Sequence, residues 1–287
     1  MNEIRPRRSV LYMPGSNARA MEKARTLAAD ALILDLEDAV APEAKNDART
    51  QVCAAVKAGG FGKRELVIRI NSLSTPWGQT DISQAVAAEP QAVLVPKVSG
   101  PADLRAAQAA LADTRIALWA MIETPRAILE IAPISGFGGN LTCLVMGTND
   151  LVKELHAVHA RPRDNLAAAL GLSVAAARAF GLSAIDGVFN DIADGDGFRE
   201  ACAEARAFGF DGKTLVHPSQ IAVCNEIFAP SPEDIEAARQ LIAAFARPEN
   251  AGKGAIALNG RMVERLHLDI ARATVARAGA VSEMETG

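Results

Sequence analysis

Eight short apolar runs, each followed by a helix-sized stretch, set the limits on how this chain of 287 residues can fold. The runs span 9–13, 31–36, 66–70, 92–95, 116–122, 141–146, 183–185 and 213–216. Between them lie alanine-rich amphipathic segments, among them 18–29, 43–58, 102–112, 165–180 and 197–208. A near-continuous apolar strand is one buried on both faces, as parallel strands are when crossover helices cover them. The alternation predicts the α/β class, and eight repeats predict a closed (β/α)8 TIM barrel. An open doubly wound sheet rarely needs eight repeats and usually announces itself with a Gly-rich first turn.

Every run closes on polar, charged or turn residues. Tyr12 to Gly15 close the first, Asp35 to Asp38 the second and Arg69 to Ser72 the third. Pro96 and Lys97 close the fourth, Glu123 to Pro125 the fifth and Gly147 to Asp150 the sixth. Asp186 and Gly187 close the seventh, and His217 to Gln220 the eighth. In a barrel these ends share one rim, where the active sites of this architecture sit.

The composition removes several other functions. Thirty Lys and Arg against thirty-four Asp and Glu leave a net charge of −4, with no basic excess for a phosphate backbone. Nucleic-acid binding is therefore not expected. No run approaches the roughly 18 apolar residues of a membrane helix, and no apolar segment follows the charged N-terminus as in a secretory signal. Cys53, Cys143, Cys202 and Cys224 are far apart and form no CxxC, so they read as reduced thiols in a cytoplasmic protein. Gly212-Lys213-Thr214 resembles the end of a phosphate loop but leads into a strand, and Ala207 stands where the first glycine belongs. Asp191, Asp194 and Asp196 lack calcium-loop spacing, and His156 and His159 lack a zinc-binding register.

Beyond the eighth run, Ser231, Pro232, Glu233 and Asp234 form a capped helix start, and a helix is expected to about residue 246. Asn259-Gly260 after the apolar residues 255–258 is a hairpin signal, and a last helix is expected over 263–278. The predicted organisation is a catalytic barrel over 1–230 and an extension over 231–287, acting as lid, oligomer arm or both.

Glu123 and Asp150, on adjacent strand ends, suit a hard divalent cation such as magnesium. Capping the helices that follow would explain both equally well. Glu37 and Asp38 add negative charge that would hold metal-bound waters or position Lys97. Arg69 is a cation within an apolar run and needs an anion, whether Glu37, Glu123 or a substrate carboxylate.

The runs Arg8–Gly15, Leu34–Val40, Arg69–Ser72, Pro96–Val98, Glu123–Thr124, Asn149–Leu151, Gly209–Lys213, Val216–Gln220 and Phe228–Ser231 resemble the citrate lyase β-subunit-like family of the HpcH/HpaI aldolase superfamily, related to malyl-CoA and citramalyl-CoA lyases. The resemblance covers nearly the whole chain. It implies a Mg²⁺-dependent carbon–carbon lyase on a TIM barrel, a homotrimer or hexamer, cleaving a malyl-, citramalyl- or citryl-thioester. The products would be acetyl-CoA and a 2-oxoacid such as glyoxylate, pyruvate or oxaloacetate. Hydrolysis of malyl-CoA, or action on a carrier-bound citryl group, are the alternatives. The resemblance further implies that Glu123 and Asp150 bind Mg²⁺ and that Arg69 binds the oxoacid carboxylate. Tyr12, Arg19 and Lys23 would hold CoA, Val216 and His217 would line the thioester channel, and Asp38 joins Arg69 and Glu264 as a catalytic candidate. Glu264 departs from the pattern: the family carries Asp there as the acid/base for a neighbouring subunit, followed two residues on by Pro, where this chain has Leu266.

Overall fold

A computed structural model describes residues 5–286. Its strands are β1 (Ser9–Pro14), β2 (Ala31–Asp35), β3 (Glu65–Arg69), β4 (Ala92–Val95), β5 (Ala117–Ile122), β6 (Leu141–Met146), β7 (Ser183–Asp186) and β8 (Gly212–Leu215). Neighbours pair in parallel and β8 closes on β1, with Val10 opposite Thr214 on one side and Ala31 on the other. This is the closed eight-stranded barrel that the alternation predicts.

Side chains on a strand alternate between faces, so every second residue points into the barrel. Val10, Ile33, Val67, Leu94, Trp119, Val145 and Ile185 make the interior core. Two residues onward on the same face come Tyr12 on β1, Asp35 on β2 and Arg69 on β3. On β5 the same count runs from Trp119 through Met121 to Glu123. The pleat therefore delivers four polar side chains to one end of an apolar barrel. At the opposite end Arg7 stacks 5.0 Å from the Trp119 ring and forks onto Glu65 at 2.6 and 2.8 Å. That ion pair caps the core at the end away from the polar rim.

The outward strand faces carry their own charges. Lys213, fully buried, donates to Asp186 at 2.5 Å, and Arg163 reaches the same carboxylate at 2.8 Å. Lys213 is thus a structural cation and not part of a phosphate loop. Asp194 caps the helix Gly195–Phe208 by accepting from Gly197 N at 2.9 Å, which accounts for one acid of the rejected calcium pattern. All four cysteines are buried and free. Among the described residues, no helix is long and apolar enough to cross a membrane.

Internal packing divides the chain into two units, one of residues 7–226 and a second that takes in Arg5, Pro6 and the chain from Ile227 onward. In the second, the helix Pro232–Ala246 starts at Ser231, whose hydroxyl accepts from Asp234 N at 3.0 Å. Strands β9 (Ala255–Leu258) and β10 (Arg261–Glu264) form an antiparallel hairpin. Its two-residue turn places Asn259 at φ 51° and Gly260 at φ 75°, the left-handed pair such turns require. The last helix is Arg265–Glu285, so it starts later and runs longer than its apolar pattern suggests. Val263 and Glu264 are taken by the hairpin, where they pair with Ile256 and Ala255. Phe245, Ile256 and Leu268 give this unit a small core of its own.

Candidate active site

The polar end of the barrel is organised around Arg69. Its Nε and Nη2 fork onto the two oxygens of Asp35, each at 2.6 Å. Its Nη1 lies 2.8 Å from Glu37 Oε2 and 3.8 Å from Asp38, and its guanidinium sits 4.9 Å from the Tyr12 ring. Asp35 is the partner that sequence reasoning did not name. The fork edge of Arg69 is spent on it, and Nη1 is left to Glu37 and to the Met121 sulfur 3.8 Å away. Burial works against the guanidinium charge, but Asp35 and Glu37 outweigh it and hold Arg69 firmly protonated. Burial also pushes the Tyr12 hydroxyl well up, against the pull of Arg69, so it stays a neutral phenol.

Asp35 also fixes the loop after β2, accepting from Glu37 N at 2.9 Å and Ala39 N at 3.0 Å. Lys45 reaches in beneath this loop and donates to the Leu36 and Glu37 carbonyls at 3.0 and 2.9 Å. Asn71 donates to the Leu36 carbonyl at 2.8 Å and is itself held by Asp81, which Arg49 grips at 2.6 Å. Glu37 is buried by this framework, whereas Asp38 is exposed at the mouth.

Glu123 follows β5 and accepts the Lys97 backbone N–H at 2.6 Å. It caps no helix: Thr124 does so, accepting from Ala127 N at 3.0 Å ahead of Pro125–Leu129. Asp150 lies in the first turn of the helix Thr148–Glu154 and makes no cap bond either. Both carboxylates turn instead to Lys97, whose Nζ bonds Asp150 and lies 3.6 Å from Glu123. Gly147, at the end of β6, has no side chain because a Cβ there would fall 2.6 Å from Glu123 Oε2.

Burial pushes the Glu123 carboxyl up to about 7 against the pull of Lys97. Burial acts on Asp150 in the same direction, but hydrogen bonds with Lys97 and Glu123 outweigh it and hold Asp150 below the usual carboxylate range. Glu37 is likewise pushed up by burial, to about 7, with Arg69 opposing. Its Oε2 has no aligned hydrogen-bond donor despite the nearby guanidinium. Among the described residues no three His, Cys, Asp or Glu side chains gather as a ready-made metal cage. Two carboxylates drawn to one cation, with a third carrying an orphaned oxygen, suit magnesium, which takes one or two protein carboxylates and keeps water or substrate oxygens.

The remaining candidates lie around the rim or apart from it. Arg19 and Lys23 are exposed on the helix Ala18–Ala24, and neither side chain is paired among the described residues. Val216 is partly exposed just past β8. His217 uses Nδ1 locally, accepting from Ser219 N at 3.2 Å, while Gln220 Oε1 accepts from the Val216 N–H at 3.0 Å. Glu264 ends β10 in the second unit, and its backbone N–H donates to His267 Nδ1 at 3.0 Å.

Residues 8–218 match the family model described as HpcH/HpaI aldolase/citrate lyase. A (3S)-malyl-CoA thioesterase of Cereibacter sphaeroides is 46% identical over 98% of both chains. The mitochondrial citramalyl-CoA lyase of Mus musculus is 33% identical over 97% of this chain and 88% of its own. Among solved structures, the protein CitE from Mycobacterium tuberculosis, in complex with magnesium, acetoacetate and coenzyme A, superposes with a TM-score of 0.78 at 30% identity, covering 96% of this chain and 98% of that one. With the barrel, the polar end of its strands and these similarities together, the chain belongs to the HpcH/HpaI aldolase/citrate lyase family.

Proposed function

We propose that this enzyme hydrolyses a short hydroxydicarboxylyl-CoA thioester of the malyl-CoA type, with Mg²⁺ as cofactor. The observation that carries the site is the convergence of Glu123 and Asp150 on one cation, at the barrel end that also carries Arg69. The relatives favour hydrolysis over the carbon–carbon cleavage expected from the sequence, since thioesterases match at 46% identity and citramalyl-CoA lyases at 33%.

Glu123 and Asp150 would hold the Mg²⁺, which when bound supplies a Lewis acid for the substrate's carboxylate and hydroxyl oxygens. Arg69, braced by Asp35, offers its Nη1 edge to the same carboxylate, taking the place of its contact with Glu37. The Tyr12 ring backs the guanidinium and keeps water from that side. Arg19 and Lys23 stand one helical turn apart and offer two unpaired cations to the phosphates of CoA. Val216 and His217 line the approach of the thioester arm. In hydrolysis, water adds to the thioester carbonyl carbon, the C–S bond breaks and the sulfur leaves with a proton. Asp38, exposed at the mouth, is the carboxylate that takes the water's proton. Glu264, from a neighbouring copy in a homotrimer or hexamer, is the second acid.

Carbon–carbon cleavage is the second reading, favoured by the citramalyl-CoA lyase relatives. There the substrate hydroxyl gives its proton to Asp38 as it becomes the oxo group, the bond between that carbon and the acyl α-carbon breaks, and the same acid protonates the enolate of acetyl-CoA. Delivery by an acyl carrier protein fits less well, because a carrier presents no nucleotide phosphates to Arg19 and Lys23. Purified protein with Mg²⁺ and malyl-, citramalyl- and citryl-CoA distinguishes the readings. Hydrolysis releases free CoA thiol and malate in equal amounts. Appearance of acetyl-CoA with glyoxylate, pyruvate or oxaloacetate would overturn it in favour of cleavage.

A further inference from the structure

Lys97 sits at the centre of the site, yet the chemistry above gives it no part. It is one of few non-glycine residues with a left-handed backbone, at φ 54°. Such strain persists where the surrounding structure over-determines a residue, and it collects at functional sites. Here two features of one residue meet one pair of acids. The Lys97 backbone N–H donates to Glu123 Oε1 at 2.6 Å, and its ammonium lies 3.6 Å from the same oxygen while bonding Asp150 Oδ2. The side chain is 37% exposed, so the ammonium can leave for the mouth of the barrel without crossing the core.

We infer that the Lys97 ammonium is a resident counter-cation of the Glu123–Asp150 pair, displaced by a divalent cation and thereby released toward the substrate. The inference rests on the magnesium reading above. Two ionised carboxylates in a half-buried site repel unless they share a proton or hold a cation. Lys97 supplies it and keeps both acids in place before the metal arrives. An ammonium and a divalent ion cannot both occupy the gap between the same oxygens, because like charges repel at that separation. The backbone N–H remains on Glu123 when the side chain withdraws, so the carboxylate stays oriented while the cation changes. Metal entry then does two things: it fills the carboxylate pair, and it frees a mobile cation for the substrate's anionic groups. Binding would therefore be ordered, with the metal first.

The test needs no turnover. Mn²⁺ is titrated into wild type and into the Lys97→Met, Glu123→Gln and Lys153→Met variants, with bound ion read by electron paramagnetic resonance. Lys153 shares the helix of Asp150 and bonds neither acid, so its variant measures what loss of a nearby charge does without displacement. Lys97→Met is expected to bind Mn²⁺ at least tenfold more tightly than wild type, and Lys153→Met to differ from wild type by less than threefold. In parallel, acetylation of Lys97 in wild type is followed by peptide mass spectrometry. Mg²⁺ should speed it several-fold, and should leave it unchanged in Glu123→Gln. Mn²⁺ bound by wild type with Lys97 acetylation unchanged or slowed would overturn displacement and leave the magnesium reading standing. No Mn²⁺ bound by wild type would overturn both. The acetylation arm uses the native chain, so the inference is decided even if Lys97→Met fails to fold.

Discussion

Gly147 shows how one small residue can carry a charged site. The space its Cβ would need is already filled by the Glu123 carboxylate. Gly147→Ala must therefore push Glu123 out of register with Asp150 or strain the end of β6. Overpacking of this kind costs about 1–3 kcal/mol. The expected outcome is a lower melting temperature together with at least tenfold weaker Mn²⁺ binding in a titration. A fully stable variant with undiminished affinity would show that Glu123 has room to move. The strand-end acids and Arg69 were legible in the sequence, because a charge closing an apolar run stands out. Of their partners, Glu37 was named for Arg69 but Asp35 was not. Arg69 chose Asp35, which lies opposite it in the β2–β3 register, and register is a property of the paired strands. The left-handed backbone of Lys97 has no sequence signal either, since lysine rarely adopts it.

At the scale of elements, alternation and turn chemistry were informative. Eight apolar runs became eight strands, and Asn259-Gly260 became a hairpin turn. Where two patterns competed, as at Val263 and Glu264, cross-strand pairing won over helical periodicity. The loop after β2 was less readable, because the side chains that hold it come from elsewhere. Lys45, from the helix Lys45–Ala58, bonds two of its carbonyls, and Asn71 from the loop after β3 bonds one of the same pair. Lys45→Met keeps a buried stem but leaves both carbonyls without the ammonium, which also lies 5.2 Å from the Trp77 ring centre. Hydrogen exchange over residues 36–40 should quicken markedly, while the strands keep wild-type protection. Substrate affinity should fall, because Glu37 and Asp38 ride on that loop. Unchanged exchange there would mean that Asp35 and Asn71 suffice to hold it.

The molecule as a whole should register the site's stored charge in its response to pH and in its assembly. Folding raises Glu123 from the ordinary 4.5 to about 7. Between those values the folded state keeps a proton that the unfolded chain has released. Stability attributable to this group therefore falls as pH rises through that interval and levels off above it. In metal-free buffer, the melting temperature of wild type should drop more between pH 5 and 8 than that of Glu123→Gln, which stays neutral throughout. Equal slopes would place the buried proton elsewhere. Glu264 makes the larger demand on the assembly. At the end of β10 its backbone already serves the last helix through His267, so a local role is the simple alternative. If Glu264 instead serves the barrel of a neighbouring copy, a site that lacks its own Asp150 stays dead whatever its neighbour, whereas a site that lacks Glu264 is repaired by any neighbour that retains it. Homo-oligomers of Glu264→Gln should bind Mn²⁺ normally but turn over about 10²–10⁴-fold more slowly, the usual contribution of a general acid or base. Homo-oligomers of Asp150→Ala should be inactive for lack of a metal ligand. Mixing the two variants under conditions of subunit exchange should restore a fraction of wild-type turnover, because some barrels with intact Asp150 then face a neighbour with intact Glu264. Confirmed exchange without any recovery would return Glu264 to the role of a helix-terminal residue.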